Sequence, residues 1–137
     1  GSITGASKSF DIPHPDPEKP DWRLRHFCTE TDARGGNLIY RRQLTAPKAG
    51  LCHVMMPGWF PHLATNLMVF VSPVKHFGQA WGEQDSIDPS VIQVTVSKGG
   101  VYNVMITADR NDMCARECPG ETEYLPVDAQ SEPGFPP

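Results

Sequence analysis

The four cysteines of this chain are the side chains best suited to metal binding or redox chemistry. Cys114 and Cys118 stand close together, whereas Cys28 and Cys52 are isolated. Zinc takes about four thiolate or imidazole ligands, usually as two closely spaced pairs. A second pair would have to be assembled from His26, Cys28, Cys52 or His53, which are scattered on separate predicted strands, so we predict no metal or cofactor and interpret Cys28 and Cys52 as small core side chains. A disulfide between Cys114 and Cys118 could form where the surroundings are oxidising.

The five histidines raise the question of a cysteine–histidine nucleophile pair. Such a pair needs an imidazole within hydrogen-bonding reach of a thiol and a third group that orients the imidazole. His53 follows Cys52 directly and His26 precedes Cys28 by two positions, but neither spacing belongs to a familiar catalytic motif. We therefore predict no catalytic residue and interpret the histidines as hydrogen-bonded structural or surface residues.

Four acidic residues, Glu30, Asp32, Asp85 and Asp88, could in principle act as the acid and base of a glycosidase. They lie in turn-rich segments, where aspartates commonly accept hydrogen bonds from their own backbone. We interpret all four as solvated loop acids. No calcium-binding loop of the EF-hand type is present in the sequence.

Large aromatic side chains in loop-like segments are the strongest candidates for binding. Trp59 and Phe60 begin Trp-Phe-Pro-His, and Trp81 ends Phe-Gly-Gln-Ala-Trp. A ring held on a rigid β scaffold can stack on a sugar or fill a pocket on a partner. We predict Trp59, Phe60 and Trp81 as contact residues. The alternative is that these rings close the ends of the domain or pack between subunits, and Trp22 is predicted to be a core residue.

Short extended segments separated by prolines and glycines must position these side chains. The chain holds 14 prolines and 12 glycines in 137 residues, which disfavours long helices. Alternating or β-branched patterns predict strands over 22–28, 38–44, 50–56 and 67–74, the last of them buried, and a short strand is predicted near 79–81. Residues 91–97 and 101–108, joined by Lys98-Gly99-Gly100, predict a hairpin.

These strands predict an all-β domain, a single small β-sandwich or distorted β-barrel of short antiparallel strands with long loops. Gly1-Ser2 is typical of a cleaved-tag remnant, so residues 1–8 are interpreted as tag remnant and flexible lead-in. Residues 9–127 are predicted to form the domain, and residues 128–137 a frayed, Pro-rich tail.

The overall charge and the lack of a long apolar run limit the classes of partner that we predict for the chain. The formal net charge of -4 disfavours an extended phosphate-binding surface, so no nucleic acid is predicted as a partner. No apolar run approaches the roughly 20 residues that span a bilayer, so no membrane insertion is predicted. Four arginines could form a basic strip on neighbouring strands, either solvated or paired with another subunit: Arg23, Arg25, Arg41 and Arg42.

Three segments resemble the opening of a known family. Residues 9–15 read Ser-Phe-Asp-Ile-Pro-His-Pro, residues 23–30 read Arg-Leu-Arg-His-Phe-Cys-Thr-Glu, and residues 38–42 read Leu-Ile-Tyr-Arg-Arg. This order of motifs is similar to that of phage and large-virus tail-fibre C-terminal domains, in which Phe-x-Ile-x-His-Pro leads into a Leu-x-His strand and a Tyr-x-Arg strand. The likeness extends from Phe10 to Asp112.

The resemblance implies a structural role in a virion fibre or spike. It implies a homo-oligomer, expected to be a trimer, that is assembled inside the host cell and presents loops to a host-surface glycan or protein. Two other functions stay open from the residues alone. One is a hydrolase or self-cleaving maturation domain, and the other is a stand-alone carbohydrate-binding module.

Overall fold

A computed structural model describes residues 9–27, 31 and 36–112 of the chain. Strands dominate this part, as the proline and glycine content predicts. The elements in chain order are β1 (Ser9–Pro13), β2 (Arg23–Phe27), β3 (Asn37–Ala46), β4 (Gly50–Met55), α1 (Phe60–Leu63), β5 (Ala64–Pro73), β6 (Ala80–Gln84), β7 (Val91–Val96) and β8 (Gly100–Arg110).

The strands form two three-stranded antiparallel sheets and one two-stranded ribbon. One sheet has the order β3-β8-β5 and the other β4-β7-β6, while β1 pairs with β2. The inward side chains of the two sheets belong to one apolar core. The fold is therefore a small β-sandwich, as predicted, and the described residues form no closed barrel.

The core is built from alternate positions of the strands, because successive side chains of a strand point to opposite faces. Strand β8 contributes every second residue from Tyr102 to Ala108, and β7 contributes Ile92, Val94 and Val96. Burying a side chain of this size stabilises the fold by about 1.5–3 kcal/mol. The largest fully buried side chains are Tyr102, Phe60, Leu63, Ile92, Ile106, Val94 and Val104.

The predicted hairpin between β7 and β8 is wrong. The two strands follow each other across a short turn, but β7 pairs with β4 and β6, whereas β8 pairs with β3 and β5. The turn carries the chain from one sheet to the other, with Gly100 at φ +144° and the Tyr102 hydroxyl donating to the Lys98 carbonyl at 2.8 Å. Alternation in two adjacent strands fits pairing and face-to-face stacking equally well, so the sequence pattern could not separate them.

The β1–β2 ribbon is tied together by ion pairs as well as backbone bonds. Asp11 accepts hydrogen bonds from Arg25 and Arg23 at 2.9 and 3.0 Å. These two bonds, first that of Arg25, lower the pKa of the Asp11 carboxyl. Two of the four arginines of the predicted basic strip, Arg23 and Arg25, therefore form ion pairs within the ribbon.

Two further predictions about aromatic and apolar segments are corrected. Trp22 is not in the core: it is 61% exposed in the loop before β2, with the Lys19 ammonium 4.8 Å from its ring centroid. Strand β5 is not buried on both faces, because its side chains alternate between the core and the outer surface of the sheet, where Met68 and Phe70 are exposed.

Candidate functional site

The outer surface of the β3-β8-β5 sheet carries an exposed apolar patch. Strand pairing sets Ile39, Thr107 and Met68 in one cross-strand row and Arg41, Met105 and Phe70 in the next. Four of these side chains are large, apolar and 40–63% exposed: Ile39, Met68, Phe70 and Met105. We call this set, with Arg41, the front face. A contiguous exposed apolar patch of this kind marks an interaction surface.

Polar rows that are already hydrogen-bonded lie on both sides of the front face. At one end, Asp109 accepts hydrogen bonds at 3.0 Å from the side-chain amides of Asn37 and Asn66. At the other end, the Gln43 amide donates to Asn103 at 3.1 Å. An apolar centre with a polar rim is the usual anatomy of a protein–protein interface.

Arg41 is the one charged side chain of the front face. Its guanidinium makes no hydrogen bond or ion pair with the residues that the structure describes. A protein that packs here would bring a carboxylate or carbonyl to Arg41, since an unpaired buried charge is costly.

The outer surface of the β4-β7-β6 sheet differs in character. One row consists of Leu51, Thr95 and Trp81, and the next of His53, Gln93 and Glu83. Trp81 is 57% exposed. A groove of about 430 Å³ lies beside its ring, lined by Gln79, Ala80, Trp81, Thr95, Val96 and Ser97. We call the two rows the back face.

The polar row of the back face has unused hydrogen-bonding capacity. The side chains of His53, Gln93 and Glu83 make no hydrogen bond or ion pair with any residue in the described ranges. A carboxylate accepts, an amide both donates and accepts, and a neutral imidazole does both. The polar rows beside the front face are hydrogen-bonded within their own sheet, whereas the polar row of the back face is available to a ligand.

Besides the front and back faces, the structure contains an aromatic cluster between the β1–β2 ribbon and the β3-β8-β5 sheet. The His26 ring stacks on Phe10 at 4.9 Å and meets Trp59 edge-on at 4.9 Å. The Arg110 guanidinium lies 4.0 Å from the Phe10 ring centroid and forms a two-point ion pair with Asp112. These contacts join both ends of the described chain to one cluster.

Hydrogen bonds fix the proton position of His26 within this cluster. Its Nδ1–H donates to the Arg25 carbonyl at 3.0 Å, so Nε2 accepts from the Tyr40 hydroxyl at 2.8 Å in the neutral ring. Burial lowers the pKa of His26; the Arg25 carbonyl opposes this shift and the positive charge of Arg110 adds to it. Burial likewise raises the pKa of Tyr40 well above its usual range, against the opposing charge of Arg42.

The predicted contact residues separate in the structure. Trp81 lies exposed on the back face, Trp59 is half-buried in the aromatic cluster, and Phe60 is fully buried at the start of α1. Phe60 is therefore corrected from a contact residue to a core residue. The segment that the sequence suggested to be an irregular loop places the ring inward, because α1 follows Trp59 directly and buries Phe60 and Leu63.

The described residues place no cysteine thiol in hydrogen-bonding contact with an imidazole. Cys52 packs against the core, whereas its neighbour His53 is exposed on the opposite side of β4. His14 and His76 each accept a backbone N–H at Nδ1, which matches their interpretation as structural residues. Within the same ranges, no group of three or more histidine, cysteine or acidic side chains could hold a metal.

The loop acids behave as predicted where they are described. Asp85 accepts the Ile87 N–H at 2.9 Å, and Asp88 accepts both the hydroxyl and the N–H of Ser90. These bonds, first that of the hydroxyl, lower the pKa of Asp88. Predictions for five other side chains lie outside the described residues: Cys28, Glu30, Asp32, Cys114 and Cys118.

Sequence reasoning missed the front face and the polar row of the back face. A signal for the front face was present, because residues 67–71 read Leu-Met-Val-Phe-Val and are apolar at every position. In an antiparallel sheet such a run places apolar side chains on both faces, so the outer face needs a cover. The polar row had no such signal, since it joins residues from three strands whose pairing was unknown.

No protein-family model, curated protein or solved structure matches the chain. Among the residues that the structure describes, no helix has the length and apolar character required to cross a membrane.

Proposed function

We propose that this chain is a structural module of a virion fibre or spike. It assembles as a homotrimer through the front face and presents its remaining surface for attachment to a host. The likeness to tail-fibre domains from Phe10 to Asp112 supports the fibre setting and the trimer. The observation that carries the proposal is the front face itself.

The chemistry of the front face favours a second copy of the chain as its cover. Four large apolar side chains stand in two adjacent rows, and the polar rows beside them are already satisfied. Burying such a surface removes apolar area from water and leaves Arg41 as the one charged group that the neighbouring subunit must pair. In a fibre this cover is always present, because each subunit is assembled beside the others.

A pair of phenylalanine substitutions tests this assignment. Phe70→Glu places a charge in the front face, whereas Phe77→Glu places the same charge at a fully exposed position in the loop after β5. Light scattering coupled to size exclusion, with and without reductant, should give three times the 15.1 kDa of one chain for the unsubstituted protein and for Phe77→Glu. Phe70→Glu should give a single chain, because a buried unpaired carboxylate is costly.

The result that contradicts the proposal is a monomer for the unsubstituted protein at high micromolar concentration. A trimer that survives Phe70→Glu would place the interface elsewhere. A monomer would favour a second function, the stand-alone carbohydrate-binding module, because the exposed Trp81 on the back face does not depend on assembly.

A further inference from the structure

We propose that the back face binds a neutral oligosaccharide, with the Trp81 ring stacked on one sugar and the adjacent polar row hydrogen-bonded to the next. The inference rests on the proposed function in one respect: it names the class of ligand that the proposed attachment surface binds. The geometry of the site itself does not depend on the oligomeric state.

The arrangement of rows matches the dimensions of a short glycan. Positions two apart on one strand are separated by about 6.6 Å, and neighbouring strands by about 4.8 Å. Trp81 and Glu83 are two apart on β6, and Gln93 lies beside Glu83 on β7. A sugar ring stacked on Trp81 would therefore bring the next ring of an oligosaccharide close to Glu83 and Gln93.

The apolar and polar parts of the site match the carbon-bound hydrogens and the hydroxyls of a pyranose, respectively. Carbon-bound hydrogens of a sugar pack against the face of an aromatic ring, which offers a large contact area with little loss of rotamer entropy. The hydroxyls then need donors and acceptors, and His53, Gln93 and Glu83 have no partner within the described chain. Each hydroxyl bound there exchanges water for a protein partner at little cost.

Charge decides between neutral and anionic glycans. Glu83 lies in the site and is not paired with a cation among the described residues, and the whole chain carries a formal net charge of -4. A sialylated or sulfated sugar would meet repulsion from this carboxylate, whereas a neutral sugar would donate its hydroxyls to it. The ligand class is therefore a neutral oligosaccharide of at least two rings.

The groove beside Trp81 extends the site toward the end of the sheet. Its volume of about 430 Å³ is within the range of small-molecule sites. The Ser97 hydroxyl accepts the Gln79 N–H at 2.7 Å, so this wall is held in place. The Gln79 side chain forms no hydrogen bond within the described ranges and is exposed next to Trp81.

The test uses a defined panel of sugars on the full chain. The panel consists of triacetylchitotriose, cellotriose, maltotriose and mannotriose, with 3′-sialyllactose as the anionic comparator. Saturation-transfer NMR and calorimetry report binding without relying on tryptophan emission. We expect at least one neutral trisaccharide to bind with a millimolar or tighter dissociation constant, and 3′-sialyllactose to bind more weakly than that sugar.

Two tryptophan variants provide the matched comparison. Trp81 and Trp22 are almost equally exposed, at 57% and 61%, but Trp22 lies outside the back face. Trp81→Ala should weaken binding roughly tenfold or more, which is the loss of one good stacking contact. Trp22→Ala should leave the affinity unchanged. Thermal unfolding of both variants confirms that they are folded.

Three outcomes would overturn the inference. They are no binding by any neutral trisaccharide, equal weakening by the two tryptophan variants, and a change of oligomeric mass on Trp81→Ala, which would make the back face a subunit contact. Because sugar binding and oligomeric mass are measured separately, failure of the glycan site would leave the front-face assembly untouched, and the reverse also holds.

Discussion

At the scale of single residues, the contacts of His26 define its structural role. His26 lies inside the aromatic cluster, where both ring nitrogens are bonded and the Tyr40 hydroxyl faces one of them. Buried polar groups that are fully satisfied fix one arrangement of a core. His26, which lies in one of the segments that resemble tail-fibre domains, therefore helps to fix the packing of this cluster.

The lowered pKa of His26 predicts a stability change with pH. The unfolded ring takes up a proton near its ordinary pKa of 6.5, whereas the folded ring does so only at lower pH. Between these two values the unfolded state binds more protons, so the free energy of unfolding should fall as pH drops below about 6.5. The contribution of His26 to this decrease in the free energy of unfolding should end once the folded ring is protonated.

Urea unfolding at a series of pH values measures this effect. His26→Gln should flatten the decline below pH 6.5, even though the variant is less stable throughout because it loses the Phe10 and Trp59 contacts. The control is His53→Gln on the exposed back face, which should keep the original slope. An unchanged slope in His26→Gln would show that other groups cause the decline.

At the scale of elements, close packing fixes how the two sheets meet at one edge. Strand β6 approaches β5 without hydrogen bonding to it, and Gly82 makes this possible. A Cβ built at Gly82 would lie 2.6 Å from Cγ1 of Val69 and 3.3 Å from the Gln93 carbonyl. Val69 is β-branched and has few rotamers to escape the contact.

Gly82→Ala should therefore destabilise the domain by about 1–3 kcal/mol through overpacking. The double variant Gly82→Ala, Val69→Ala should recover part of the loss, because removing the valine methyls opens the needed space. Gly58→Ala is the matched control, since nothing lies within 4 Å of its Cβ position. Denaturant midpoints of the unsubstituted protein, Gly82→Ala, Val69→Ala and the double variant give the coupling; strict additivity would disprove the contact.

Much of the element content was predictable, and much of the topology was not. Alternation in residues 38–44 and 50–56 identified β3 and β4 closely, because side chains of period 2 mark a half-buried strand. The wrong predictions concern which strands pair with each other. The same alternation describes a hairpin and a crossing between sheets, so β7 and β8 were assigned to each other.

The candidate sites were predictable only in part for the same reason. Trp81 was chosen as a contact residue because it is a large ring in a loop-like segment; the structure exposes this ring on the back face, and its role in contacts stays a prediction. Phe60 was misplaced because the composition of a short segment does not show which way a helical turn faces. His53, Gln93 and Glu83 become neighbours only when β4, β7 and β6 pair, which no local pattern encodes.

At the scale of the whole molecule, the proposed assembly surface and the proposed recognition surface are separated in space. They lie on opposite sides of one sandwich, since each is the outer surface of a different sheet. A contact on the front face therefore leaves the back face open to solvent. A trimer built this way presents three identical glycan sites.

This separation predicts an avidity effect. On a surface coated with the best-binding neutral trisaccharide, the trimer should bind roughly 10²–10⁴ times more tightly than the Phe70→Glu monomer. The affinity per site for the free trisaccharide should be equal in the two proteins. Surface plasmon resonance gives the first quantity and calorimetry the second; equal surface binding would show that the sites of one trimer cannot engage together.

The contact between Phe10 and Arg110 has a mechanical consequence. Because these residues touch, the two ends of the described domain emerge side by side. A load applied between them would first strain the β1–β2 ribbon, which has five residue pairs, while the β3-β8-β5 and β4-β7-β6 sheets stay folded. Tension between the two ends of the described domain would thus open the ribbon before it reached the core.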